Sequence, residues 1–66
     1  MAVAKVIEVT AGSKKGLEDA ITSGIARASD TLDEVEGAWV QDIKVKCDGG
    51  KIAEWRVNMK VTFLLK

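Results

Sequence analysis

Sixty-six residues with ten basic and ten acidic side chains, one cysteine and no histidine form a chain near the lower size limit for folding on one core. The single Cys47 excludes an intrachain disulfide, and no Cys or Asp/Glu group has the spacing of a structural metal site, so self-association is the expected staple. A net charge of zero argues against nucleic acid, whose affinity rests largely on Lys and Arg neutralising phosphates.

The β-branched run "VAKVIEVT" predicts a strand over Val3 to Thr10. Ser13 reads as a helix N-cap, with Glu18 and Asp19 well placed against the helix dipole and Lys14 and Lys15 badly placed. Leu17, Ala20, Ile21, Gly24, Ile25, Ala28 and Leu32 recur at three- and four-residue steps, which predicts a helix from about Lys14 to Leu32. Its small residues, Ala20, Gly24 and Ala28, allow close approach to whatever it covers. The acidic "DEVEG" ends the helix, with Gly37 available for a chain reversal.

Two further strands are predicted, Ala38 to Cys47 and Lys51 to Leu65, around "DGG". Apolar residues take the odd positions in both, so odd must pair with odd. A three-residue loop, Asp48-Gly49-Gly50, satisfies this by pairing Cys47 with Lys51. It also sets Lys44 against Glu54 and Asp42 against Arg56, two opposite-charge pairs. The chain thus reads as one domain over 1–66, an α+β fold of βαββ order. One helix packs on a three-stranded antiparallel sheet of strand order 1-3-2, since a right-handed crossover leaves the last strand between the other two. On the face away from the helix, Ala4, Val6, Val40, Ile52 and Leu64 interrupt the polar residues, which suggests subunit contacts.

"KVIEVTAGS", "LEDAITSGIARASDTL", "WVQDIKV" and "DGGKIAEWRVNMKVTFLL" follow one another in an order that resembles the dodecins, and the resemblance covers essentially the whole chain. Dodecins are small βαββ proteins that assemble into hollow cages of twelve subunits, many of which bind flavins. The resemblance implies a homododecamer that stores and quenches riboflavin, FMN or FAD, with the flavin ring pressed on a tryptophan, here Trp39. It also implies a polar contact to the pyrimidine edge of the ring from Arg56, where the family commonly has glutamine. That is a departure: an amide offers both donor and acceptor, whereas arginine only donates. The alternative is a dodecin-like scaffold with weak or no flavin binding that carries another ligand, such as a coenzyme A-like nucleotide near basic residues.

Each of these residues also has a structural reading. Trp39 suits the helix–sheet core or a subunit interface, Arg56 suits its pairing with Asp42, Trp55 belongs to the apolar row, and Cys47 is a small apolar strand residue. In regular strands Trp39 and Arg56 point to opposite faces. A site containing both requires a bulge between Trp39 and Ile43, or a second subunit. An enzyme is not expected: without histidine, general acid–base work falls to scattered carboxylates and lysines. Glu18-Asp19 and Asp33-Glu34 read as solvated faces, and "AGSKKG" is too short for a phosphate-cradling loop. No apolar run approaches the ~20 residues that span a bilayer and no signal-peptide core is visible, so no membrane contact and a cytoplasmic location are expected. The unpaired thiol agrees with a reducing compartment.

Overall fold

The computed structural model describes residues 3–32 and 34–65. β1 spans Val3–Ser13, α1 Leu17–Ser29, β2 Val35–Asp48 and β3 Lys51–Leu65. The sheet order is β1-β3-β2, with β3 antiparallel to both neighbours, as the sequence predicts.

The helix is shorter than its apolar stripe. Its N-cap is Gly16, not Ser13, and no side chain caps it. Ser13 is the last residue of β1 and is buried. Its hydroxyl donates to Asp19 Oδ2 at 2.6 Å and accepts from the Lys15 backbone N–H at 2.9 Å. The serine therefore braces the strand-to-helix turn instead of opening the helix, and Glu18 and Asp19 fill the acidic first turn that the dipole favours. At the other end the Asp30 N–H donates to the Arg27 carbonyl and the Thr31 and Leu32 N–H groups donate to that of Ala28, and Glu34 takes a left-handed φ of 49° before β2 begins. Gly37 lies inside β2, so the reversal precedes it; Asp33, part of the acidic segment expected there, lies outside the described residues.

Ala20, Gly24 and Ala28 form the buried stripe of α1, and Val57, Met59, Val61 and Phe63 form the buried row of β3. Ile7, Val9 and Ala11 from β1 and Leu17, Ile21 and Ile25 from α1 close round this core. Gly24 marks the closest approach: a Cβ there would stand 2.8 Å from the Ala11 Cβ and 2.7 Å from Met59 Cε.

β2 pairs with β3 in a different register from the one expected. Gly49 and Gly50, at φ 58° and 78°, make a two-residue turn that opposes Asp48 to Lys51. Both central residues of such a turn need positive φ, which two consecutive glycines supply without strain. Parity is then restored by a bulge at Ala53, between the pairs Lys46↔Glu54 and Cys47↔Ile52. The expected pairs Lys44–Glu54 and Asp42–Arg56 do not form; Lys44 stands opposite Arg56 and Asp42 opposite Asn58.

A second bulge, at Gln41 between Val40↔Met59 and Asp42↔Asn58, reverses the faces of the start of β2. Val40 therefore faces the helix side and packs against the core, and Ile52 shares that side through its pairing with Cys47; neither lies on the open face where the sequence reading set them. Ala4, Val6 and Leu64 do lie on the open face, in line with Thr62 and Lys60.

The 13-residue helix is about 20 Å long, at 1.5 Å per residue, against about 50 Å for the 15-residue β3. The hairpin accordingly projects well past the helix, in a subunit measuring 52 × 19 × 13 Å. Beyond the helix Ile43, Val45 and Ile52 are 53%, 45% and 44% exposed, an apolar strip on the helix side of the arm.

Candidate functional site

The open sheet face can be read row by row from the register. Gly12, Arg56 and Lys44 form one row, Thr10, Asn58 and Asp42 the next, and Glu8, Lys60 and Trp39 the third. Trp39 belongs to this face only because Gln41 is bulged: the pairing of Trp39 with Lys60 puts the indole on the side of Arg56. The condition for a shared site, a bulge between Trp39 and Ile43, is therefore met within one subunit.

The two residues share a face but are not in contact. Arg56 and Lys60 are four residues apart on β3, which separates the Trp39 and Arg56 rows by about 13 Å along the strand. Trp39 is 65% exposed, the most exposed large apolar side chain of the described residues. An indole standing free on a sheet offers a flat face on which another ring can stack. Trp55, by contrast, is half-buried on the helix side opposite Val45, the apolar row assigned to it. Cys47 is an exposed free thiol near the hairpin tip.

Arg56 makes an ion pair that the sequence reading missed. Its Nε donates to Glu54 Oε1, two residues back on the same face. The signal was present in "EWR": residues i and i+2 of a strand share a face, and an acid and a base there can meet without any cross-strand partner. The hydrogen bond from Arg56 is the main reason that the Glu54 carboxyl sits below its ordinary value; partial desolvation opposes it, and the charges of Arg56, Lys46 and Lys14 add to it. The Glu54 carboxyl lies over Gly12 of β1, 3.5 Å from where a Cβ there would stand, an ordinary contact distance. Across the sheet Lys46 opposes Glu54 and Lys44 opposes Arg56, so the pair is embedded in positive charge.

Arg56 also borders three hollows. One of about 470 Å³ is shared with Lys14, Lys46 and Glu54, one of about 320 Å³ with Thr10, Gly12 and Glu54, and one of about 140 Å³ with Asp42, Lys44 and Asn58. On the last, the Thr10 hydroxyl donates to Asn58 Oδ1 at 2.8 Å, fixing that row. Among the described residues, no group of three or more His, Cys, Asp or Glu side chains is placed to hold a metal ion, and no helix is long and apolar enough to cross a membrane.

Comparison with known proteins gives a single family. Residues 3–66 match the dodecin family model. The dodecin from Streptomyces davaonensis is 35% identical, with 98% of this chain and 96% of that one covered and a TM-score of 0.92. An arginine-to-alanine variant of the T. thermophilus dodecin is 32% identical over 100% and 98% of the two chains, with a TM-score of 0.94. A calcium-chelating dodecin of Mycobacterium tuberculosis, described with a novel calcium-binding site, is 31% identical over 97% and 91%, with a TM-score of 0.82. No curated protein matches.

Proposed function

This chain belongs to the dodecin family, and from that premise we propose that it is a non-catalytic flavin-binding protein. Twelve copies close into a hollow cytoplasmic cage that stores flavin and quenches its excited state against Trp39. The observation that carries the reading is the Gln41 bulge, which delivers a 65% exposed indole to the same sheet face as the Arg56–Glu54 pair. A three-ring heterocycle laid on Trp39 and pointing down the strand comes within reach of the long Arg56 side chain. Assembly is supported by the apolar strip of Ile43, Val45 and Ile52: a subunit with so small a core leaves these side chains half in water, and a second copy covers them.

The test is a fluorescence titration of ligand-free protein with riboflavin, FMN and FAD. Saturable quenching with an affinity of about micromolar or tighter is expected, and Trp39→Ala should lose most of it. No binding of any flavin would sink the reading. Retained quenching in Trp39→Ala would show that the stacking residue is elsewhere.

One observation favours a second reading, a scaffold carrying a coenzyme A-like nucleotide with weak or no flavin binding. Lys44 stands directly opposite Arg56, and like charges so placed repel unless an anion lies between them. Calorimetric binding of such a nucleotide that weakens steeply with salt, in protein that ignores riboflavin, would select it.

A further inference from the structure

We propose that Glu54 and Arg56 act together as a composite reader of an imide edge, Arg56 donating to a ring carbonyl while Glu54 accepts the neighbouring N–H. The inference rests on the flavin reading above and names the residue that completes ring recognition.

Arginine alone is a poor partner for such an edge. The pyrimidine end of a flavin presents carbonyl, N–H and carbonyl in sequence, two acceptors flanking one donor. A guanidinium has five N–H donors and no acceptor, so it leaves the ring N–H without a partner. A buried N–H with no partner costs affinity in full. Glu54 supplies what is missing. Its Oε1 is taken by Arg56 Nε, but each carboxylate oxygen has two lone pairs, and Oε2 makes no hydrogen bond among the described residues. The hydrogen bond between the two side chains holds donor and acceptor next to each other, as one amide group would.

The surroundings fit this role. Both side chains rise from the open face of β3, and the Glu54 carboxyl, its Oε2 included, packs over Gly12 of the adjacent strand. Lys46 opposite Glu54, together with Arg56 and Lys14, favours the ionised carboxylate, which can only accept. The arrangement also discriminates. A purely accepting group such as a phosphate meets the Glu54 carboxylate as a repulsive neighbour, whereas an imide satisfies both members of the pair.

The test uses the assembled full-length protein, with riboflavin and N3-methylriboflavin as probes and flavin fluorescence quenching as the readout. Methylation removes the N–H. Wild type should lose about tenfold to a hundredfold in affinity for the methylated ring, the size of a hydrogen bond to a charged group. Glu54→Ala should lose a similar factor for riboflavin and then bind both flavins alike. Glu54→Gln, whose amide carbonyl still accepts, should keep most of the preference. Equal quenching of both flavins by wild type would overturn the proposal while leaving flavin binding intact. So would a methyl penalty that persists in Glu54→Ala, since it would then be steric. If wild type binds neither flavin, the flavin reading falls and this inference with it. Should Glu54→Ala fail to assemble, nitrogen-15-labelled riboflavin on wild type decides: an N3 proton protected from water exchange supports the pair, and free exchange overturns it.

Discussion

Gly24→Ala sets two known effects against each other at one atom. In a helix interior, alanine is favoured over glycine by up to ~1 kcal/mol. Here the new Cβ would lie 2.8 Å from the Ala11 Cβ and 2.7 Å from Met59 Cε, against an ordinary carbon–carbon contact of roughly 3.5–4.0 Å. Met59 Cε ends a flexible side chain and can swing aside. The Ala11 Cβ is bonded to the β1 backbone and cannot, so α1 and β1 must part by roughly 1 Å. Overpacking of this kind costs about 1–3 kcal/mol, which outweighs the propensity gain and leaves a net loss near 1 kcal/mol. Urea unfolding at one fixed protomer concentration measures it, since assembly makes stability concentration-dependent. Ala26→Gly, on the exposed side of the same helix, calibrates propensity alone. The combination with Ala11→Gly should show coupling of about 1 kcal/mol, because the clashing partner is gone. A Gly24→Ala protein more stable than wild type, or an uncoupled double variant, would refute the close approach.

Three further outcomes can be checked. Ile43→Lys puts a charge into the apolar strip and should shift the assembly towards smaller species by analytical ultracentrifugation, with the helical circular dichroism of α1 retained; an unchanged assembly would remove the strip from the interface. Gly50→Ala, at φ 78° with nothing within 4 Å of the new Cβ, should cost about 1–2 kcal/mol through the backbone alone. Glu54 should titrate below its ordinary value of 4.5 by carbon-13 NMR, and Arg56→Ala should bring it back up. Because the folded value is the lower one, what the pair adds to stability is complete above about pH 4.5 and fades as pH falls through that folded value.

Periodicity was the most legible signal. The stripe through Ala20, Gly24 and Ala28 located the helix, and the alternation of "AEWRVNMKV" located β3 with its bounds. Ends were less legible. Ser13 has the side chain of an N-cap, yet the structure uses that hydroxyl for Asp19 and Lys15, a choice made by the turn and not by the residue type. The hairpin register failed for a related reason. Alternation demands one extra residue near the tip but does not say which strand carries it: a loop Gly50 and a bulged Ala53 satisfy parity equally well, and the flexible Gly49-Gly50 pair allowed the tighter turn. The two charge pairs that seemed to support the longer loop were coincidental. At the candidate site, Trp39 and Arg56 are nameable from their chemistry, whereas their common face depends on Gln41, and cross-strand alternation alone assigns Glu54 to Lys44 and hides its pairing with Arg56.

One inserted residue at Gln41 governs which way the indole looks, and that makes the interval between Trp39 and Asp42 a parity switch. Loss of Gln41 itself would leave Trp39 and Asp42 two residues apart in a regular strand, with the indole still on the open side; loss of Val40 as well would make them neighbours and turn the indole inward beneath the hairpin. Descendants of this chain are thus free to iron out the bulge by losing Gln41, whereas an interval that keeps its length without a bulge turns the tryptophan away from the ring-facing side.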